Sequence, residues 1–321
     1  MQFFLEPLSY SFFRHGLLAA VMVGALCGLI GVHVVLRGMS YVGHGLSHAA
    51  FGGAVIGFVL NFNFYVGAGA MGFLAALLIN QMTKNKKIKS DAAIGIVTTA
   101  MFALGIVVIS QQRTLNRSLD AALFGNILGI TGFDLMVIGL VTAATMIMIF
   151  FMYRPLLFTT FDNEAAQIFG IKTETVQLLF ALLLTLSIIV SMNIVGVTMI
   201  AAALIMPAMT ARMMTDNFST MQIYSIAIGI FIGAGGMYLS YFLNVSSGAT
   251  IVLFGALIFC LSVLIKSIRE KKILRANLHR HGNLIHSHPR SSKHCVRNNT
   301  DEAVNKKNKA GLPNGHRNID N

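Results

Sequence analysis

Charge is what this sequence has least of. Asp, Glu, Lys and Arg make up 11% of its 321 residues, while 55% are hydrophobic. That balance excludes an ordinary soluble domain, in which about 25% of residues are charged. Cysteine is scarce as well. Cys27, Cys260 and Cys295 are odd in number and far apart, so no disulfide framework is expected. The chain has no GxxxxGK[ST] phosphate loop, which excludes an ATPase of that type. It also has no HExxH and no GxSxG, so an intramembrane protease has no anchor. The apolar runs do not alternate with polar residues, which excludes a β-barrel. The opening MQFFLEPLSYSFFRHG has neither a basic n-region nor a small-residue cleavage site. The first apolar run is therefore expected to stay as an anchor.

Long apolar windows are present from end to end, each of roughly 18 to 25 residues and enough to cross about 30 Å of hydrocarbon. They predict an all-α, polytopic helical membrane protein. Nine spans are expected, near 14–36, 42–61, 64–82, 91–111, 132–153, 174–192, 194–214, 219–241 and 247–266. The weakest is 64–82, and losing it would leave eight. Counting the links alternately, one side receives Arg37, KNKKIKS (84–90), Arg154 with Lys172, Arg212 and a basic tail. The other receives only Arg14, Arg113 and Arg117. The positive-inside bias then places the N-terminus outside and the C-terminus in the cytoplasm. Net charge is +12, but from Lys266 onward lie more than half of the Lys and Arg. A topology signal accounts for this better than a nucleic-acid surface, and no nucleic-acid partner is expected.

Two links are longer than turns. Residues 112–131 end in a semi-apolar, glycine-containing stretch suited to a short re-entrant or interfacial helix. Residues 154–173 predict a short surface helix around DNEAAQIF, with Asp162 as N-cap and Gly170 as its stop.

The segment GHGLSHAAFGG (43–53) carries the chemistry. His44 and His48 are at i and i+4, so both project from one face of a helix. Polar ionisable groups inside a span are costly and turn towards a cavity or a partner. Imidazole is a common ligand for divalent transition metals, and this spacing lets two rings share one ion. Spacing alone leaves a metal role and a proton role both open. In a symmetric dimer two such pairs would meet at the axis. Gly45, Ala49, Gly53 and Gly57 form a small-residue stripe about 100° round the same helix, made for close helix approach. The lone His33 is expected only to hydrogen-bond a backbone carbonyl. Asp91 reads as an acid at a helix N-terminus, and Pro207 predicts a kink near Met206.

The run VVLRGMSYVGHGLSHAAFGGAVIGF (34–58) resembles the signature region of ATP-binding-cassette importer permeases for zinc, manganese and iron. DAAIGIV (91–97), LFGNILGI (123–130), FDNEAAQIFGI (161–171), NIVGVTMIAAALIMPAMTARMM (193–214) and SSGATIVL (246–253) follow in family order, so the resemblance covers roughly residues 4 to 266. It implies a permease that pairs with a second copy of itself. The partners would be a cytoplasmic ATPase dimer that binds the ATP and an extracellular or periplasmic metal-binding protein. It further implies that Asp162, Asn163, Glu164, Ala165, Ala166, Gly170 and Ile171 belong to the coupling segment that docks on the ATPase, and that His44 and His48 line the metal pathway. In most relatives the position of His44 is Asp. An imidazole there favours zinc over the harder manganese. Ser246 stands where relatives usually carry Pro.

The expected organisation is thus a permease domain over 1–266 and a basic, His-containing cytoplasmic tail over 267–321, without fixed structure. His279, His281, His286 and His288 form a candidate regulatory metal tract there, though a basic tail also suits anionic lipid. The expected function is ATP-driven import of zinc, manganese or iron across a bacterial-type plasma membrane by alternating access, with no catalytic residue in this chain. An ATP-independent cation transporter or channel is the alternative, and a permease for chelated metal or a vitamin is a further one.

Overall fold

In the computed structural model, residues 6–84, 88–111, 123–125 and 127–286 are described, with only the backbone given for Lys84, Leu128 and residues 272–286. The chain divides into two units, Met1–Lys266 and Ser267–Asn321.

The described residues are helical and contain no strand, as hydrocarbon requires of a chain that must satisfy its own backbone. After a 3-10 turn at Glu6–Ser9 come α1 (Ser11–Leu36), α2 (Ser40–Val59), α3 (Phe64–Lys84) and α4 (Ser90–Ser110). A 3-10 turn at Ile127–Gly129 precedes α5 (Gly132–Phe151), α6 (Tyr153–Phe161) and α7 (Asn163–Ile168). The remainder is α8 (Thr173–Val195), α9 (Ile200–Met214), α10 (Phe218–Leu243) and α11 (Ser247–His286).

Eight of these helices are long and apolar enough to cross a membrane. The expected weak span is one of them, Phe64–Thr83. The shortfall lies elsewhere. α9 has 15 residues, about 22 Å of helix, because α8 runs on to Val195 and the chain then breaks at Gly196, whose φ is +90°. That conformation is open to glycine and strained for other residues. The end of the preceding long link packs into this break. A Cβ on Gly196 would come within 2.5 Å of the Leu123 carbonyl oxygen, and Thr198 Oγ1 donates to that same oxygen at 3.0 Å. Pro207 lies inside α9, which is helical on both sides of it.

The helices differ in how deeply they lie. In the most apolar stretch of α1, α2 and α8, 78%, 72% and 67% of residues are buried, against 22% for α5 and α11. α2, which carries the histidine pair, is therefore a central helix and α5 a peripheral one. The small-residue stripe on α2 allows this. A Cβ on Gly53 would meet the Gly67 carbonyl oxygen of α3 at 2.2 Å, so the two backbones touch. Helix ends are capped locally: Thr131 and Asp134 form a capping box on α5, and Asn217 caps α10. α11 continues to His286, past Lys266 where composition suggested a tail without fixed structure. Its extension is rich in Leu, Arg and Lys, which are good helix formers.

Candidate metal pathway site

His44 and His48 are brought together on α2. Their Nε2 atoms are 3.2 Å apart, with ring centroids 4.5 Å apart and ring planes at 88°. Two nitrogens at zinc-ligand distance and tetrahedral angle would be about 3.4 Å apart, close to the separation of this pair. They face a cavity of about 170 Å³ lined also by Tyr41, Gly45, Thr98 and Phe102. Phe102 packs its ring against His48 with centroids 5.0 Å apart. Ser47, between the histidines, turns away. Its Oγ donates to the carbonyl oxygens of His44 at 2.7 Å and Val197 at 3.3 Å, tying α2 to the break after α8. The buried Nδ1 of His48 has no hydrogen-bond partner.

Among the described residues no three His, Cys, Asp or Glu side chains gather as a ligand set. One copy of the chain thus presents two imidazoles to an ion that normally takes four or more ligands. A cargo ion held there needs further donors from a second copy or from water.

Tyr41 also lines a second cavity, of about 390 Å³. Its walls carry Asn80 and Thr83 from α3, Asp91 from α4, Thr159 and Thr160 from α6 and Asn163 from α7. The expected coupling segment therefore borders the same space as the α2 entrance. Asp162 caps α7 as its composition predicts, its Oδ1 accepting from the backbone N–H groups of Glu164 at 3.1 Å and Ala165 at 2.9 Å. Gly170, at φ +77°, stops the helix, and the Ile171 N–H returns to the Ala166 carbonyl at 3.0 Å. Ala166 is fully buried, whereas Ile168 and Phe169 are 85% and 75% exposed. This leaves an apolar knob on a short capped helix.

His33 departs from expectation. Its ring is fully buried in α1 between Phe180 and Phe218, and neither nitrogen has a hydrogen-bond partner. The anticipated carbonyl contact is absent. Of the tail histidines, His279, His281 and His286 fall where only backbone is described, and His288 lies outside the described residues.

The family model of the ABC 3 transport family matches residues 9–266. The chain belongs to that family. It is 38% identical over 260 residues to the manganese transport system membrane protein MntC of Halalkalibacterium halodurans, covering 81% of this chain and 89% of that one. It is 33% identical over 265 residues to a probable iron transport system membrane protein of Haemophilus influenzae, covering 83% and 97%. The solved structure described as PsaBC from Streptococcus pneumoniae in complex with Fab superposes with a TM-score of 0.73 at 36% identity, covering 79% of this chain and 91% of that one.

In this family member, the residues that sequence reasoning missed are those that act through distant partners. Tyr65 donates to Asp134 Oδ1 at 2.6 Å and accepts from Asn193 Nδ2 at 3.0 Å, joining α3, α5 and α8. Asp134, an acid in a run of apolar residues, was the available signal. Arg37 is the other case: the sequence shows it only as a loop charge, yet burial pushes its guanidinium down to about 10.

Proposed function

We propose that this chain is the membrane-spanning subunit of an ATP-driven importer for a divalent transition-metal ion. It is a multi-pass protein of a bacterial plasma membrane and hydrolyses no ATP itself. A separate ATPase drives it, and an outside binding protein delivers the ion. The observation that carries the reading is the histidine pair, set 3.2 Å apart in a cavity on a central helix, in a chain of a transport family. Two copies related by symmetry would bring two such pairs to one pathway and complete the ligand set. The loop-charge bias supports an outside N-terminus, with the α6–α7 link facing the ATPase. The knob of Ile168 and Phe169 then fits the role of the docking element, and alternating access follows from motion of that element relative to α2.

For the ion, two imidazole nitrogens favour zinc over manganese, because nitrogen ligands suit zinc and oxygen ligands suit manganese. The second reading is manganese, favoured by the names that relatives carry. The test is uptake of radioactive Zn²⁺ and Mn²⁺ by proteoliposomes holding this chain, its ATPase and its binding protein. His44→Ala and His48→Ala are each expected to abolish ATP-dependent uptake while the ATPase still co-purifies. Normal uptake in both variants would make the histidines packing residues, and uptake without ATP would favour a secondary transporter.

A further inference from the structure

Arg37 sits at the corner between α1 and α2. The corner is closed tightly on α1: the Gly38 N–H bonds to Val35 O at 3.2 Å and the Met39 N–H to Val34 O at 2.9 Å, with Gly38 at φ +66°. α2 starts at Ser40, and His44 follows one turn in. From this corner the guanidinium reaches across to α6. Its Nε donates to Thr160 Oγ1 at 3.0 Å and one terminal nitrogen to Thr159 Oγ1 at 2.9 Å and the Leu156 carbonyl at 3.4 Å. The guanidinium also sits 4.4 Å over the Phe180 ring of α8. These partners are uncharged.

Holding a half-buried cation on neutral acceptors is a costly way to pack a corner. An apolar side chain of similar size would fill the same space without desolvating a charge. What Arg supplies that an apolar residue does not is a directional link: its fork grips two hydroxyls and a carbonyl, and its face stacks on an aromatic ring. The side chains it grips lie at the C-terminal end of α6, immediately before Asp162 and the capped α7. The other side-chain bonds described for α6 and α7 towards the helix bundle run to α10 (Tyr153–Ser219, 3.0 Å) and α8 (Gln167–Thr173, 3.1 Å; Gln177–Asn163, 3.4 Å). The bonds of Arg37 join α6 instead to the corner from which α2, the helix of His44 and His48, starts. Because the corner is pinned to α1 and leads straight into α2, a push on α6 and α7 arrives at Tyr41 and His44.

We propose that Arg37 is a positioning residue that transmits movement of the α6–α7 element to the histidine-bearing helix, coupling ATP hydrolysis to release of the ion. The proposal rests on the reading of α6–α7 as the element that docks on the ATPase. A strut of this kind is not needed for the ATPase to bind or to hydrolyse. It is needed for hydrolysis to be felt at the pathway.

The experiment uses the full transporter in liposomes, with metal imported per ATP hydrolysed as the readout. Co-purification and basal ATPase activity are recorded beside it. Arg37→Gln is expected to leave the latter two unchanged and to lower metal per ATP by about tenfold or more, the size set by losing charge-assisted hydrogen bonds. Thr159→Val with Thr160→Val removes only the acceptors and is expected to give the same loss. Combining the two changes is expected to add little further, as for residues acting through one contact. Arg37→Lys, which keeps charge but not the fork, is expected to stay uncoupled. Should Arg37→Gln fail to fold, the threonine variant carries the test. Wild-type metal per ATP in either folded variant overturns the proposal. Ile168→Asp separates the underlying reading: loss of ATPase co-purification supports docking at α7, and retained co-purification overturns it, and the strut with it, whatever Arg37 shows.

Discussion

The Tyr65 hydroxyl donates to the Asp134 carboxylate at 2.6 Å while accepting from Asn193 at 3.0 Å. The other carboxylate oxygen of Asp134 accepts from Thr131 Oγ1 at 2.7 Å. A peripheral helix, α5, is thereby fastened to α3 and to the central α8 at the same level as the cap that starts it. Tyr65→Phe removes the link and leaves the cap. It is expected to cost about 1 kcal/mol, in the range for hydrogen bonds between membrane helices. Asp134→Asn, which weakens both, is expected to cost more. Equal unfolding midpoints for wild type and Tyr65→Phe in a denaturant titration would count against the fastening.

Close approach of α2 and α3 at Gly53 and Gly67 makes a second expectation. A side chain at Gly53 would meet the Gly67 carbonyl oxygen at 2.2 Å and Met71 Cβ at 2.5 Å. Backbone cannot step aside as a flexible side chain can, so the helices must part. Gly53→Val is expected to destabilise by about 1–3 kcal/mol or more and to impair uptake, because α2 carries the histidine pair. Gly95 is the control: a Cβ there meets nothing within 4 Å. Thermal unfolding should therefore leave Gly95→Ala at least as stable as wild type, since glycine inside a helix costs about 0.5–1 kcal/mol relative to alanine.

These two relationships show where the sequence stops informing. His44 and His48 were legible because a helix turns i and i+4 to one face, a local rule. Asp162 and Gly170 were legible as cap and stop for the same reason. The Gly53 stripe announced close packing but not its partner on α3. Tyr65, Asp134 and Asn193 are far apart in the chain, and nothing local marks them as neighbours. Arg37 was legible only in part. As a loop charge it signals topology, and only the fold places Thr159 and Thr160 within its reach. α9 was expected over 194–214 and is shorter, because hydropathy averages across Gly196, whose backbone conformation ends the preceding helix. His33 looked like an ordinary satisfied histidine, since sequence cannot show that its surroundings are two phenyl rings.

The exposed knob on α7 gives a third expectation. Ile168 and Phe169 are exposed and the helix is held by the Asp162 cap and the buried Ala166. Surface changes away from caps and cores alter stability by about 0.5 kcal/mol or less. Ile168→Asp should accordingly unfold like wild type yet reduce ATPase binding. Asp162→Ala removes two hydrogen bonds from the cap and should weaken that binding by about 1 kcal/mol, the usual worth of an N-cap. Titrating labelled ATPase onto the solubilised permease measures both. Unchanged affinity in both would move the docking surface elsewhere.

The proposed preference for zinc rests on one side chain, His44. His44→Asp replaces an imidazole nitrogen with a carboxylate oxygen and puts a negative charge on α2 beside the cavity. The oxygen hardens the donor set towards manganese, and the charge offsets part of a dication wherever it binds. The first effect discriminates between metals and the second does not. His44→Asp is therefore expected to raise uptake of Mn²⁺ relative to Zn²⁺ by about tenfold, a shift that ligand type alone can supply. His44→Gln, with a neutral oxygen, should shift the ratio in the same direction with lower total uptake. Competition of unlabelled Zn²⁺ against radioactive Mn²⁺ in proteoliposomes reads the ratio directly. If the ratio stays fixed while both ions slow, His44 serves both ions alike and does not set selectivity. The preference must then be set by other donors to the ion.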